Sequence, residues 1–529
     1  MRDFQQPGRS PVYGTRGAAA TSYPTATLTA LDILRSGGNA MDAAVAASAV
    51  QCVVEPQSTG IGGDCFVLYA PADADHLIAY NGSGRAPALA TVDWFLEHNI
   101  SAIDRYSPHA VTIPGAVEAW CRLIDDYGRK DLGTLLQPAI HYAEHGYVVH
   151  PRVAYDWHRE IQTLEHQAAT KQLFLPNGHP LKSGDRHVQR QLAQTLKTIA
   201  QQGRDAFYTG AIAQDIVDTL QKLGGLHALD DLAEATGEYV TPISTNFSDY
   251  QVYECPPNGQ GITVLIMLNI LSGVDLGRYA PDSIERIHLS VEAARIAYRD
   301  RDIYVADPLQ ATLPIEDLLS ETYAETVRQQ ISLDRAMTHL PPPAFPEHPD
   351  TVYISVVDDE GNAVSFIQSI YHSFGSGIVT PNTGILLHSR GSGFRVDPHH
   401  WNCIAPRKRP LHTIIPGMLV RDRQTVMPFG VMGAAYQPAG QVHFLTNVLT
   451  YGMDVQTALD YPRFFYNNDR CQLEHTIASD IKIGLEQLGH RTERVDKPLG
   501  GGQAVWIDRE RGVLIAGSDP RKDGCALAY

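Results

Sequence analysis

The sequence predicts a mixed α+β fold in a single compact domain, and three patterns carry that prediction. Two helical stretches, the second rich in alanine, open the chain. Apolar residues recur at mostly helical spacing from Val117 to about Leu340, and a strand hairpin begins at Thr351, directly after a run of prolines. A chain of 529 residues with 43% hydrophobic content can bury a substantial core. Only the proline run interrupts the pattern and no internal repeat is seen, so one domain is expected although the length would permit three.

The opening helices are expected over Ala26 to Arg35 and Asn39 to Val54. Gly37 and Gly38 can stop the first, and Asn39 can cap the second. The alanines of the second predict close packing. Next, Thr59-Gly60-Ile61-Gly62-Gly63-Asp64 leads into the apolar run Cys65 to Ala70, a glycine turn feeding a strand, where a backbone can approach closely. A phosphate-binding loop needs strand, then glycines, then helix; the order here is reversed, so no nucleotide site is read. Ile287 to Tyr298 belongs to an outer helical layer. Pro341 to Asp350 blocks helix and sheet alike and predicts an exposed or mobile connection.

Composition narrows the function. A formal net charge of −17 argues against nucleic acid, whose binding depends on Lys and Arg releasing counterions. The first nine residues lack the apolar core of a signal peptide, and Ala40 to Val54 carries Asp42 and Gln51 and is shorter than the roughly 20 residues a membrane span needs. A cytoplasmic protein without a membrane partner is expected. Seven scattered cysteines without a CxxC pair read as buried thiols, with neither a disulfide framework nor a zinc site.

The chemistry gathers at the hairpin. Thr351 to Asp358 and Asn362 to Ser369 are strand-like runs separated by Asp359-Glu360-Gly361. A three-residue loop ending in Gly fits a type I turn followed by a left-handed bulge residue. That loop pairs Asp358 with Asn362 and, counting outward, Thr351 with Ser369. Two hydroxyls then face each other. A hydroxyl is a poor nucleophile until a neighbouring base takes its proton. A free α-amino group on Thr351 is such a base, because its pKa of roughly 7.7 to 8.0 leaves a neutral fraction near pH 7. The Asp350–Thr351 bond must first be cut to release it.

Longer motifs extend this reading. Gly37-Gly38-Asn39-Ala40-Met41-Asp42-Ala43-Ala44, Val54-Glu55-Pro56, Gly60-Ile61-Gly62-Gly63, Pro256-Pro257-Asn258-Gly259-Gln260-Gly261, Gly361-Asn362-Ala363-Val364-Ser365, Phe374-Gly375-Ser376-Gly377 and Ala516-Gly517-Ser518-Asp519-Pro520-Arg521 span nearly the whole chain. In order and spacing the sequence resembles the gamma-glutamyltranspeptidase family of N-terminal-nucleophile hydrolases. That resemblance implies a four-layer αββα sandwich and self-cleavage before Thr351. The products would be residues 1–350 and 351–529, which together form one heterodimeric domain, with a higher oligomer left open. It also implies that Ser369 is the second hydroxyl beside the nucleophile and that the backbone amides of Gly433 and Ala434 form the oxyanion hole. No cofactor and no metal are implied.

The pattern departs at the substrate. Family transpeptidases hold a glutamyl α-amino group with an Asn, a Gln and an Asp, and the aligned positions here are Tyr371, Arg390 and Gly393. Gly393 removes the partner of an ammonium, and Arg390 favours a carboxylate in its place. The family's paired serines become His412 and Thr413, and its carboxylate-binding Arg is shifted to Arg85. Asn81 to Pro87 and Ser389 to Phe394 resemble the branch holding cephalosporin-acylase-like proteins and oxamate amidohydrolase. The expected activity is hydrolysis of a small carboxylate-bearing amide such as oxamate, clamped by Arg85 and Arg390 beside Thr351. His372, His388 and His412 could line the pocket; without a carboxylate partner they give no metal argument. Alternatives are gamma-glutamyl transfer or glutathione hydrolysis, and a non-catalytic scaffold.

Overall fold

A computed structural model describes residues 8–72, 74–338, 340 and 351–529. Two seven-stranded sheets form its centre. The first runs in the order Cys525–Ala528, Ala18–Thr21, Val352–Val357, Ala363–Ser369, Asp64–Ala70, Ile78–Gly82, Glu238–Val240. The second runs Val12–Gly14, Val513–Ser518, Gly501–Asp508, Gln424–Met432, Gly417–Arg421, Tyr250–Glu254, Ile243–Phe247. Both sheets draw strands from before and after residue 350.

Side-chain alternation along the hairpin decides what each face meets. Ile354, Val356, Val364 and Phe366 join a core with the alanine-rich helix Ala40–Val54 and its neighbours. Tyr353, Val357 and Ile367 turn the other way and meet Met418, Met432 and Val505 of the second sheet. The outer face of that sheet, with Leu419, Phe429 and Val431, is covered by the helices Gly261–Ser272, Ile284–Tyr304 and Gln437–Leu449. The layers are therefore helix, sheet, sheet, helix, the αββα sandwich expected. Strands buried on both faces read as continuous apolar runs, which is why Val352–Val357 shows no polar alternation.

Local expectations hold closely at the start. The first helix spans Pro24–Arg35, and Asn39 caps the second through a capping box in which it and Asp42 exchange side chain and backbone bonds. The glycine turn allows the close approach anticipated: a Cβ on Gly63 would lie 2.4 Å from the Ser369 carbonyl oxygen. The stretch after Val117 is mostly helical, as expected, but Glu238–Val240, Ile243–Phe247 and Tyr250–Glu254 within it are strands. Of Tyr250–Glu254, Val252 is buried and Gln251 exposed, a period-two signal hidden between longer helical patterns. The proline run and Asp350 lie outside the described residues.

Candidate active site

Register brings the first functional groups together. Val352 pairs with Gln368 and Val357 with Ala363, so Thr351 falls opposite Ser369 as the hairpin count predicted. The two hydroxyl oxygens are 3.1 Å apart, and both residues are fully buried. Ser369 Oγ also accepts from the Tyr371 amide at 2.9 Å. On its other side Ser369 pairs with Asp64. Thr351, Ser369 and Asp64 share parity with Tyr353, Ile367 and Phe66, so all three point into the space between the sheets.

The second sheet crosses this row. Ser355 Oγ donates to the Pro428 carbonyl at 2.9 Å, and a Cβ on Gly430 would touch the Tyr353 ring at 2.4 Å. One more step of two residues along each strand sets Thr351 against Met432, where the strand ends and Gly433-Ala434 turns away. Gly433 has φ +120° and Ala434 φ +43°. A positive φ at a non-glycine residue is uncommon, and successive backbone amides in such a turn form a concavity suited to an anion.

Arg390 is the third part. It is fully buried, donates from Nη1 to Thr413 Oγ1 at 2.9 Å, and lies 4.1 Å from the centroid of the Tyr371 ring, whose own φ is +77°. Gln260 Nε2 then bridges the Thr413 and Ala434 carbonyls at 2.7 and 2.8 Å. A continuous chain of contacts thus links Thr351 through Ser369, Tyr371, Arg390, Thr413 and Gln260 to the Ala434 turn. Arg390 Nη2 has no hydrogen-bond partner among the described residues. Burial pulls its pKa down to about 10, opposed by Asp64 and Tyr371.

Asp64 is the hub beneath Arg390. Its Oδ1 accepts from the Gly84 amide at 3.0 Å, and Oδ2 accepts from His412 Nε2 at 2.9 Å. Around Oδ2 also lie His388 Nδ1 at 3.2 Å and Arg390 Nε at 3.8 Å. His388 Nδ1 makes no aligned hydrogen bond at that distance. Burial alone would push the Asp64 carboxyl up, but His388 and His412 hold it well below the usual range. Burial and Arg390 pull His412 down to about 3. Its Nδ1 accepts from the Ile414 amide at 3.3 Å, so the ring is neutral and both nitrogens are engaged.

Three sequence expectations change here. Arg85 does not clamp a ligand beside Thr351: its Nη1 lies 3.2 Å from buried Asp307 and 3.1 Å from the Arg407 carbonyl, and it lines a separate cavity with Ser83, Thr236 and Gly237. His412 has no ring nitrogen left to offer a substrate, because Asp64 and Ile414 use both. His388 and His412 do have a carboxylate partner, Asp64, while His372 bonds Ser389 Oγ at 2.8 Å. Among the described residues, the group with metal-ligand spacing lies elsewhere, at His288, Glu292 and His490. The oxygens of Glu292 accept from Arg295 and the Met337 amide, which leaves that cluster a closed hydrogen-bond network.

This arrangement can be compared with known proteins. The sequence model of gamma-glutamyltranspeptidase matches residues 26–529. The chain belongs to the gamma-glutamyltranspeptidase family. It is 37% identical over 525 residues to the glutathione hydrolase-like YwrD proenzyme of Bacillus subtilis, covering 98% of this chain and 99% of that one. The oxamate amidohydrolase proenzyme of Klebsiella pneumoniae is 33% identical, with 97% and 99% covered. The crystal structure of cephalosporin acylase from Bacillus halodurans superposes with a TM-score of 0.93 at 39% identity, over 100% of this chain and 99% of that one. As a gamma-glutamyltranspeptidase-family protein, the chain is an enzyme of the Thr-nucleophile, amide-cleaving kind.

Within this family site, the sequence reading missed Asp64 and left Gln260 without a role. Asp64 follows the family's Gly60 to Gly63 motif directly, and Gln260 sits inside the Pro256 to Gly261 motif, so position in a motif was the available signal. The His388, Arg390 and His412 partners of Asp64 are 320 or more residues away in the chain, and the Thr413 and Ala434 carbonyls that Gln260 bridges are 150 or more away, which no local pattern reveals.

Proposed function

We propose that this chain matures by cleaving its own Asp350–Thr351 bond and then hydrolyses amides whose small acyl group carries a carboxylate and no amine, oxamate being the model compound. The Thr351 hydroxyl attacks the Asp350 carbonyl, the peptide nitrogen departs as the Thr351 α-amine, and water hydrolyses the resulting ester. The released amine then serves as base: it takes the Thr351 hydroxyl proton as the oxygen attacks a substrate carbonyl and passes it to the departing amine. Ser369, 3.1 Å away, orients the nucleophile. The Gly433 and Ala434 amides receive the oxyanion, a contribution of roughly 3 to 4 kcal/mol per donor. Water ends the cycle by hydrolysing the acyl ester. Cytoplasmic location is part of the same proposal; no described helix is long and apolar enough to cross a membrane.

The observation that carries the substrate reading is buried Arg390 with Nη2 unpartnered, two contacts from the nucleophile's own partner. A buried charged donor left unpaired is costly, and a substrate carboxylate would satisfy it. The names of relatives favour a second reading, glutathione hydrolysis. An ammonium-bearing acyl group would need an acidic partner, and the nearest carboxylate, Asp64, is already engaged by Gly84, His412, His388 and Arg390. Ammonia release from oxamate should exceed hydrolysis of a γ-glutamyl anilide, and Arg390→Met should raise KM for oxamate by about tenfold or more, a loss of about 1.4 kcal/mol. Faster turnover of the glutamyl compound, or a kinetically silent Arg390→Met, would contradict the substrate assignment.

A further inference from the structure

Away from the active site, His288, Glu292 and His490 bring their ligand atoms within 4.8 Å of one another. His288 and Glu292 stand four residues apart on the helix Ile284–Tyr304, so both side chains leave the same face. His490 meets them from the turn after the helix Ser479–Gln487, where its amide donates to the Leu485 carbonyl at 3.0 Å. His288 and Glu292 are fully buried and His490 is 6% exposed, which places the cluster just under the surface.

The hydrogen bonds that close this network also orient it as a set of ligands. His288 Nε2 lies 2.7 Å from the Ser332 carbonyl oxygen, which can only accept, so Nε2 carries the proton and in the neutral ring Nδ1 presents a lone pair. That lone pair faces His490 Nε2 at 2.7 Å, and the bond between the rings runs from His490 to His288. An N–H tied to a backbone carbonyl is how proteins fix the tautomer of a metal-binding histidine and raise the basicity of its free nitrogen. Glu292 accepts one hydrogen bond on each oxygen, from Arg295 at 2.8 Å and from the Met337 amide at 2.7 Å, which leaves each oxygen a second lone pair. A single proton, the one between the two rings, therefore separates the closed network from three converging ligands. Two imidazole nitrogens on a tetrahedral zinc ion sit about 3.3 Å apart, so the rings need to part by only about 0.6 Å.

We propose that His288, Glu292 and His490 bind one divalent transition ion of the zinc class, with water completing its coordination. Two imidazoles and a carboxylate match such an ion in ligand type and number. On binding, His490 changes tautomer: Nε2 gives up its proton as the metal–nitrogen bond forms, Nδ1 takes one from water, and the ring stays neutral. His288 Nδ1 and a Glu292 oxygen supply lone pairs they already hold. The ion would join distant parts of the chain, because His288 and Glu292 precede residue 350 and His490 follows it. The stretch carrying Ser332 and Met337 is drawn in as well, and its Ala336 amide donates to the Leu488 carbonyl at 2.7 Å. If the Asp350–Thr351 bond is cut as proposed above, the ion ties the two products together; binding itself does not depend on that cut.

The test titrates chelator-stripped wild-type protein with zinc chloride by calorimetry near neutral pH. One ion should bind in the micromolar range or tighter, and His490→Gln, which keeps a side-chain amide facing His288, should weaken binding at least about tenfold. His141 and His145, exposed one helical turn apart, are the competing zinc ligands, and His145→Gln should leave the affinity unchanged. Cobalt(II) gives a readout that requires no variant to fold: wild type should show the intense visible absorption of a four- or five-coordinate ion, whereas an exposed pair of histidines leaves cobalt hydrated, octahedral and pale. Zinc uptake that survives His490→Gln, uptake abolished by His145→Gln, or a pale octahedral cobalt spectrum in wild type overturns the inference. None of these readouts involves amide turnover, so the Thr351 reading stands or falls separately.

Discussion

At the scale of single residues, Asp64 explains how Arg390 can be buried at all. An isolated buried charge is costly, and Asp64 supplies the opposite charge 3.8 Å away while His412 and Gly84 satisfy its oxygens. The folded pKa of Asp64 lies below its unfolded value, so its ionised form adds stability above about pH 4 that is lost as pH falls further. Asp64→Asn should therefore be less stable than wild type at neutral pH, and the difference should shrink below about pH 4. Urea unfolding midpoints at several pH values would measure this; a difference that stays constant to pH 3 would contradict it. Thr351 and Ser369 were legible in sequence because they share one hairpin. Arg85 was misread, since nothing near it in sequence shows that buried Asp307 holds its guanidinium.

Among the elements, the hairpin sets the geometry of the nucleophile. Gly361 has φ +92°, and Asp358 closes the loop by accepting from the Glu360 and Asn362 amides at 3.1 and 2.9 Å. Gly361→Ala should cost about 1–2 kcal/mol through the left-handed backbone alone, read as a lower unfolding midpoint with processing retained. An unchanged midpoint would mean that the turn tolerates a Cβ without strain. Short-range turn chemistry made this element readable, as it did the Asn39 cap. The strands Ile243–Phe247 and Tyr250–Glu254 were not read, because their alternation is brief and flanked by helices of stronger period. The close approach at Gly63 was anticipated in kind, although its partner, the Ser369 carbonyl, comes from more than 300 residues away.

Across the whole molecule, the segments on either side of residue 350 are interleaved. Ala18–Thr21 pairs directly with Val352–Val357, Asp64–Ala70 with Ala363–Ser369, and Tyr250–Glu254 with Gly417–Arg421. Cutting one bond cannot separate strands that share both sheets and the core between them. Residues 1–350 and 351–529 should therefore co-elute in size-exclusion chromatography under native conditions and part only in denaturant; two separate native peaks would refute this. Layer order followed from the family motifs.

The nucleophile assignment is tested most directly by intact mass, under denaturing conditions, of wild type and Thr351→Ala expressed in parallel. The account predicts two wild-type chains, the smaller beginning with Thr351, and a single uncut chain of 529 residues for Thr351→Ala. A wild-type chain that hydrolyses its amide while remaining whole, or a Thr351→Ala chain cut at the same bond, would contradict it.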